Sequence, residues 1–245
     1  MNAVVFGATK GIGRAVAREL ATRGDRLFLL GRHADDLTRS AGDLDIRRGQ
    51  PAVAGHAHCD LSDPATFAPA LAAAKAALGS IDLIVVTAGE FGTQAALEAD
   101  LERAHTLLAA NFTNTVTFCE LARRELLPKG GTLCVFSSVA GERGRKPVVL
   151  YGAAKAGLSR YLEGLDHKFR GAGLKVVCVK PGFVKTGMTA GFKPPPFAGT
   201  PEGVAKIAVR AIDRGTPVVY APGIWRLIML VIRLLPRSVM RKIEF

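Results

Sequence analysis

The sequence has few cysteines and no recognisable set of metal ligands. Its four cysteines are scattered, without a CxxC pair or a histidine at ligand spacing, so neither a disulfide framework nor a zinc site is indicated. We expect buried thiols in a reducing compartment. The five histidines are expected at surface or packing positions, and no metal is predicted. The cysteines are Cys59, Cys119, Cys134 and Cys178.

The sequence also shows no pattern typical of a cleavable leader and no long uninterrupted apolar run. The first residues, MNAVVFGATKGIG, pass straight into an apolar stretch and a glycine turn, with no room for a charged region and cleavage site. The apolar segment WRLIMLVIRLLPRSVMRK is interrupted by arginines and is shorter than the roughly 20 mostly apolar residues that span a bilayer. We therefore predict a cytoplasmic protein. For its C-terminal tail, residues 224–245, one hypothesis is peripheral membrane contact and the other is that residues 224–235 cover the protein's own core or a subunit interface.

Acidic residues are outnumbered by basic ones. The chain has 33 Lys and Arg against 21 Asp and Glu, a formal net charge of +12. This balance favours an anionic partner, which could be a phosphate ligand, a nucleic acid or an acidic membrane surface. The length of 245 residues, with 49% apolar residues, is sufficient for one hydrophobic core, so residues 1–245 are predicted to form a single domain.

Strand-like and helix-like patterns alternate along the chain. This alternation predicts an α/β protein with a Rossmann-type, doubly wound parallel sheet and helices on both of its faces. The sequence CDLSDPATF marks one helix start, with Ser62 or Asp63 as the capping residue and Pro64 in the first turn. The predicted strands are 3–6, 27–30, 52–57, 83–87, 132–136 and 175–179. The predicted helices are 12–23, 64–78, 98–127 and 153–170, and a further helix is predicted to begin near Pro201.

A glycine cluster follows the first predicted strand. In FGATKGIG, Gly7, Gly11 and Gly13 stand between this strand and the first helix. Glycine permits a tight turn and a close approach of backbone N–H groups to a pyrophosphate, and the helix N-terminus favours negative charge. A glycine cluster alone is weak evidence, but its position after the first strand is typical of a dinucleotide site.

The end of the second predicted strand bears on the choice of dinucleotide. A site for NADH usually has an acidic residue here for the adenosine ribose, whereas a site for NADPH has an arginine for the 2′-phosphate. In LFLLGRH, Gly31 stands where the acid is expected and Arg32 follows it. Lys10, inside the glycine loop, adds a second positive charge. These residues favour NADP(H) as the cofactor.

A tyrosine and a lysine are spaced for one face of a helix. In VLYGAAKAG, Tyr151 and Lys155 stand at i and i+4, so their side chains project together. Ser138 follows the strand that precedes this helix, and Asn111 lies within the long helix before that strand. The Tyr/Lys spacing arises readily by chance, but its conjunction with Ser138, Asn111 and the glycine loop does not.

Together these motifs resemble the short-chain dehydrogenase/reductase family, from residue 3 to about residue 220. The family usually has an asparagine before the AG of the fourth strand, where this chain has Val86 and Thr87, which leaves open how this point is braced. Gly187 also replaces an acid that many members carry. The resemblance rests on GATKGIG, Asp60, the TAG of Thr87 to Gly89, Asn111, Ser138, Tyr151, Lys155 and the PGFVKT of Pro181 to Thr186.

The resemblance implies an NADPH-dependent oxidoreductase that reduces a carbonyl to a secondary alcohol. Tyr151 would donate the proton and Ser138 would bind the carbonyl oxygen. Lys155 would hold the nicotinamide ribose and, with the nicotinamide, lower the pKa of Tyr151. Asn111 would support a water that links Lys155 to solvent. The implied cofactor residues are Gly7, Thr9, Lys10, Gly11, Ile12, Gly13, Arg32, Asp60, Leu61, Ala88, Gly89, Asn111, Tyr151, Lys155, Pro181, Gly182, Val184 and Thr186.

The resemblance also divides the predicted domain into parts. These are a dinucleotide-binding half at 1–110, a catalytic half at 111–184, a substrate lid at 185–203 and the tail at 224–245. Met188, Phe192 and Phe197 in the lid either line an apolar substrate pocket or pack the lid onto the body. The helices 98–127 and 151–170 are expected to pair two copies into a homodimer or homotetramer.

The substrate is the least determined part of the prediction. The tail and the segment SSVAGERGRKPVVLYGAAKAGL resemble the branch that includes decaprenylphosphoryl-2-keto-pentose reductase, which implies a lipid-linked keto sugar as the substrate. The arginines of the tail suit a substrate phosphate and anionic headgroups. Two alternatives are a general carbonyl or 3-oxoacyl reductase and a non-catalytic module that binds NADPH or nucleic acid. The complete Asn/Ser/Tyr/Lys set argues against the second alternative, and no nucleic-acid partner is predicted.

Overall fold

A seven-stranded parallel sheet forms the centre of the molecule. The computed structural model describes residues 1–243, so Glu244 and Phe245 of the predicted tail lie outside the described residues. The strand order is β3-β2-β1-β4-β5-β6-β7. The strands are β1 (Asn2–Phe6), β2 (Arg26–Gly31), β3 (Val53–His58), β4 (Leu83–Val86), β5 (Thr132–Phe136), β6 (Lys175–Pro181) and β7 (Val218–Ala221).

Helices cover both faces of this sheet. One hydrophobic cluster packs α1, α2 and α8 onto one face, and a second packs α3, α6 and α7 onto the other. The helices are α1 (Gly11–Arg23), α2 (Ala34–Arg48), α3 (Phe67–Leu78), α4 (Gln94–Ala99), α5 (Leu101–Leu108), α6 (Thr115–Leu126), α7 (Val149–Phe169), α8 (Pro201–Arg214), α9 (Trp225–Leu234) and α10 (Arg237–Met240). The predicted doubly wound α/β fold is confirmed.

The winding direction reverses at β1, which pairs with β2 on one side and with β4 on the other. Val5 is opposite Leu29 of β2 and Val85 of β4. The carboxyl ends of the strands therefore meet at one edge of the sheet, and the switch point at which such sheets bind their ligands lies between β1 and β4. Every motif identified in the sequence lies at this edge.

The prediction of one helix over 98–127 was wrong. Thr93 and Asp100 each accept a backbone N–H three residues later and so start two separate helices, α4 and α5. Residues 109–114 then form a wider π-helical turn before α6 begins. Such turns are frequent at functional sites because they redirect a side chain, and here the turn contains Asn111. The sequence patterns also did not predict α2 or β7. At the start of the 64–78 segment, Asp63 rather than Ser62 provides the cap.

The tail packs against the body through one face of α9. Trp225, Met229 and Ile232 are buried in a cluster with Val139 and Tyr220. This half of the tail therefore covers the protein's own core, as one of the two hypotheses expected. No helix within residues 1–243 is long and apolar enough to cross a membrane.

Candidate active site

The glycine loop leaves room for an anion at the start of α1. A methyl group at Gly13 would lie 2.1 Å from the Gly7 carbonyl oxygen, so the loop closes on itself only without a side chain there. No side chain caps the N-terminus of α1, and its first turn contains no acidic residue. Arg14 donates to the Thr9 carbonyl oxygen at 2.8 Å and holds the loop in place. These exposed amides and the helix dipole fit the pyrophosphate of a dinucleotide.

Thr87 braces this loop in place of the usual asparagine. Its hydroxyl donates to the Phe6 carbonyl oxygen at 2.9 Å, and it also lies 3.3 Å from the Gly7 carbonyl oxygen. A methyl group at Gly7 would lie 2.7 Å from the Ala88 nitrogen, so the ends of β1 and β4 are in close contact. Thr87 therefore lacks the side-chain amide of the usual asparagine but still forms a side-chain hydrogen bond to the glycine loop.

The segment after β6 returns to the same loop. Thr186 lies over Gly11, where an added methyl group would be 3.4 Å from its methyl carbon. Val184 is buried and forms an isolated bridge with Gly199, and Ile12 packs against the hydrophobic cluster under α1. The structure thus brings the predicted cofactor residues of the first and last motifs together.

The Pro181–Gly182 motif is covered by the tail. A methyl group at Gly182 would lie 2.1 Å from the indole of Trp225, so only glycine fits beneath this ring. The indole Nε1 donates to the Phe197 carbonyl oxygen at 3.3 Å. Trp225 therefore joins the end of β6, the lid and α9.

Two basic side chains follow the ends of β1 and β2, where the sequence predicts the adenosine end of a dinucleotide. The Arg32 guanidinium is 3.3 Å from the Glu90 carboxylate and remains half exposed. Lys10 is largely exposed and lies 3.6 Å from the Asp36 carboxylate. Neither cation is locked in a buried pair, so each can turn toward a phosphate. Glu90 was missed in the sequence because it belongs to another strand end, β4.

Asp60 and Leu61 are held beside the π-helical turn. The Asp60 carboxylate accepts the backbone N–H of Ser62 at 2.9 Å. The Asn114 side chain donates to the Leu61 carbonyl oxygen at 2.7 Å. Asn114 was not singled out in the sequence, and it positions the predicted cofactor residue Leu61 from the turn that also contains Asn111.

Ser138 and Tyr151 are brought together by close backbone packing. The Ser138 hydroxyl accepts the backbone N–H of Ala140 at 3.1 Å and lies near enough to the Tyr151 hydroxyl to act on its pKa. A methyl group at Gly141 would lie 2.6 Å from the backbone of Lys155, and one at Gly152 would lie 2.9 Å from the carbonyl oxygen of Ala140. The small residues in this region therefore allow α7 to lie directly against the turn that follows β5.

Lys155 is buried beneath Tyr151. Its ammonium donates to the Phe136 carbonyl oxygen at 3.1 Å and lies 5.8 Å from the centre of the Tyr151 ring. The ammonium is also near Gly89, where an added methyl group would be 3.6 Å from Nζ. Asn111 is fully buried and exchanges two hydrogen bonds with the backbone of Glu90, at 2.8 and 3.1 Å. Asn111 thus positions the β4 end beside Lys155.

The pKa values of Tyr151 and Lys155 both depart from their usual values because both side chains are buried, and the expectation that Lys155 with a bound nicotinamide lowers the pKa of Tyr151 stays a prediction. Burial raises the pKa of Tyr151 to about 12, and the hydrogen bond with Ser138 opposes this rise. Burial also lowers the pKa of Lys155 to about 8, because a charged ammonium is poorly solvated there. The phenol is therefore kept protonated, which is the state required of a proton donor.

An aromatic row connects the tyrosine to the lid. The Phe91 ring packs edge to face on Tyr151 at 5.2 Å and on Phe192 at 5.8 Å between ring centres. Phe192, Met188 and Phe197 are each about half exposed. A cavity of about 450 Å³ lies along Phe192 and Thr186. Phe91 was missed in the sequence, since nothing in TAGEFG shows which way its ring points.

Other features contribute nothing to this site. A cavity of about 560 Å³ lies behind α7, but its lining contains none of the predicted site residues, so we place the chemistry at the Tyr151 side. Within residues 1–243, no three histidine, cysteine, aspartate or glutamate side chains cluster to hold a metal ion. The four cysteines are free and buried.

Comparisons with known proteins agree with this geometry. The family model for short chain dehydrogenases matches residues 1–195. An uncharacterized oxidoreductase of Mycobacterium tuberculosis is 37% identical over 241 residues, covering 98% of this chain and 95% of the relative. Carbonyl reductase family member 4 of Danio rerio is 31% identical over 193 residues, covering 77% of this chain and 78% of the relative.

A solved structure shows the same fold. The crystal structure of an actinorhodin polyketide ketoreductase variant with NADPH superimposes with a TM-score of 0.80 at 23% identity, covering 89% of this chain and 94% of that one. Enzymes of this family bind a nicotinamide cofactor, act on small-molecule substrates and are commonly oligomeric. The chain is an oxidoreductase and belongs to the short-chain dehydrogenase family.

Proposed function

We propose that the protein reduces a carbonyl to a secondary alcohol with NADPH, and that Tyr151 donates the proton. The observation that carries this proposal is the buried ammonium of Lys155, 5.8 Å from the Tyr151 ring, beside a glycine loop that fits a pyrophosphate. A lysine is seldom buried unless its charge or its proton has a use. The bound nicotinamide would supply the hydride.

Each polar side chain has a distinct role in this proposal. Ser138 hydrogen-bonds the carbonyl oxygen, and the protonated phenol of Tyr151 donates to the same oxygen as charge develops on it. Lys155 binds the ribose hydroxyls of the cofactor through its ammonium. Asn111 holds the β4 end against Lys155 through the backbone of Glu90, and its link to a water remains a prediction.

The preference for NADPH over NADH rests on Arg32 and Lys10. An arginine guanidinium forms two parallel hydrogen bonds with a phosphate, and the strand end has no carboxylate of its own to bind an adenosine ribose. Glu90 holds Arg32 at 3.3 Å in this structure, so Arg32 exchanges this partner for the 2′-phosphate when NADPH binds.

Replacing Arg32 with alanine is expected to weaken NADPH binding by about 10- to 100-fold, the equivalent of one charge-assisted hydrogen-bonded contact. NADH affinity should change little. Arg47→Ala is the matched control, because Arg47 has the same 53% side-chain exposure and also pairs with one carboxylate. Both affinities are measured by nucleotide fluorescence. Equal losses for NADPH and NADH in Arg32→Ala would reject the 2′-phosphate assignment.

NADPH affinity is expected to fall as the pH rises above about 8, because the Lys155 ammonium, with its pKa lowered to about 8, then loses its proton. Below this pH the lysine is charged and its hydrogen bonds to the ribose are at full strength. The Lys155→Met variant should bind more weakly and show no such decline. Fluorescence titrations from about pH 7 to 10, where the 2′-phosphate is already fully ionised, measure the effect.

We further infer a lipidic ketone as the substrate, with a lipid-linked keto sugar as the specific candidate. The half-exposed side chains of Met188, Phe192 and Phe197 in the lid support an apolar substrate, and the Phe91 ring links Phe192 to Tyr151. The alternative is a general carbonyl or 3-oxoacyl reductase, which the resemblance to a carbonyl reductase favours. NADPH oxidation is compared for lipid-linked keto sugars, small ketones and acyl thioesters, with analysis of the alcohol formed. No oxidation with any carbonyl would contradict the proposed function.

A further inference from the structure

The outer face of α9 is apolar although its inner face already packs on the protein. Leu227, Leu230, Val231 and Leu234 are 61%, 52%, 61% and 76% exposed. Their spacing, with Ile224 one turn earlier, places them on one side of the helix. We call these five residues the outer face. Isolated exposed apolar residues are ordinary, but a continuous row of five marks a surface that contacts an apolar partner.

The inner contacts keep this face turned outward. Arg143 donates to the Leu235 carbonyl oxygen at 2.8 Å, and the Arg233 guanidinium lies 3.4 Å from the Glu142 carboxylate. Glu142 is itself buried and also pairs with Lys180. Together with the buried Trp225, these contacts hold α9 at both ends. The helix therefore has no means of burying the outer face by rolling over.

Positive charge borders the outer face. Arg226, Arg237, Arg241 and Lys242 are exposed, and none of them forms an ion pair with another residue of 1–243. Within residues 215–243 the charged side chains are all basic, and Glu244 follows as the one acidic residue of the tail. We call these four residues the basic rim. Because the four cations outnumber this single carboxylate and form no ion pair within residues 1–243, the basic rim attracts an anionic surface.

The outer face and the basic rim together favour one kind of partner. A second copy meeting this face about a two-fold axis would place the same cations opposite each other, which opposes self-association. A nucleic acid would contact the arginines but leave the row of leucines exposed to water. An anionic bilayer satisfies both, since its acyl chains accept the apolar side chains and its headgroups meet the arginines.

We propose that α9 and α10 form a membrane-docking surface, in which the outer face inserts at the acyl boundary of an anionic bilayer and the basic rim contacts the headgroups. The Trp225 indole joins α9 to the lid through the Phe197 carbonyl oxygen. Docking would therefore hold the lid beside the lipid surface, where a lipidic substrate is concentrated. The docking itself does not depend on the proposed reaction.

Vesicle co-sedimentation of the full chain tests the surface without any turnover. We expect the protein to bind vesicles of equal phosphatidylglycerol and phosphatidylcholine, to bind pure phosphatidylcholine far less, and to dissociate at about 0.5 M salt. Leu234→Gln should weaken partition about tenfold. Ile46→Gln is the matched control, because Ile46 is 82% exposed on α2, which packs by β3 at the opposite edge of the sheet.

A second pair of variants tests whether vesicle binding depends on the cations of the basic rim or only on the net charge of the protein. The double variant Arg237→Gln with Arg241→Gln should weaken binding about thirtyfold, since each cation near an anionic surface contributes about 1 kcal/mol. Arg103→Gln with Lys129→Gln removes the same charge elsewhere and should have little effect. Equal binding to both vesicle types, or equal losses in the two double variants, would overturn the proposal. The proposal would also be overturned if the protein did not bind vesicles but formed a dimer that the Leu234→Gln substitution dissociates. Vesicle binding with no carbonyl reduction would support docking and reject only the proposed function.

Discussion

The Tyr151→Phe variant is expected to retain NADPH binding and to lose turnover by about 10²- to 10⁴-fold, the usual contribution of a positioned proton donor. The substitution removes one oxygen and leaves the ring. The packing of Phe91 on the ring and the burial of Lys155 should therefore remain. The loss should appear in kcat, because the proton is transferred in the chemical step rather than during cofactor binding.

The same helix provides a control for this substitution. Tyr161 also lies on α7, and its hydroxyl donates to the Glu120 carboxylate at 2.8 Å, away from the site. Tyr161→Phe removes the same atom and should leave turnover nearly unchanged, with a stability loss of about 1 kcal/mol from the lost hydrogen bond. Steady-state rates of NADPH oxidation measure both variants. Full activity of Tyr151→Phe would remove this residue from the mechanism and leave Ser138 as the remaining candidate donor.

Gly13→Ala is expected to destabilise the protein by about 3 kcal/mol, at the upper end for overpacking, and to abolish measurable NADPH binding. The added methyl group would lie 2.1 Å from the Gly7 carbonyl oxygen and 2.4 Å from the Thr87 hydroxyl. The first of these is a backbone atom held in the β1–β4 contact, so the loop opens rather than a side chain moving aside.

The identical substitution at Gly42 should have the opposite effect. Gly42 lies within α2, and a methyl group there would meet nothing within 4 Å. Gly42→Ala should therefore stabilise the protein by roughly 0.5–1 kcal/mol, since alanine has the higher helix propensity. Thermal or urea unfolding measures both changes. A neutral result for Gly13→Ala would show that the glycine loop relaxes freely, and it would contradict the tight cradle on which the cofactor assignment depends.

Alternation of strands and helices was sufficient to predict most of the sheet. Six of the seven strands were predicted within one or two residues, because five of them are short apolar runs between glycine, proline or polar residues and β3 is a weaker run of the same kind. β7 was missed because VVYA is short and only partly buried. The helix error at 98–127 has a comparable cause, since helix periodicity does not register the capping side chains of Thr93 and Asp100 or the widened turn at Asn111.

The candidate site was predicted from the types of its residues and from their order along the chain. Both match what cofactor binding and proton transfer require. The glycines follow β1, and the serine, the tyrosine and the lysine follow β5. The parallel sheet brings the ends of these two strands to one edge, on either side of β4. The roles of these residues, the dimer or tetramer and the cytoplasmic location stay predictions. The pKa directions were not available to this reasoning, because burial of Tyr151 and Lys155 depends on what other segments place around them.

The sequence by itself determined the fold, the family and the set of polar groups at the carboxyl edge of the sheet, since local patterns and chain order are sufficient for these. Only the tertiary structure decided that Thr87 braces the glycine loop, that Glu90 holds Arg32 and that Phe91 joins Tyr151 to the lid. It also decided that α9 buries one apolar face and exposes the other. Each of these contacts depends on the direction of a side chain and on its neighbours in space, which residues distant in sequence supply.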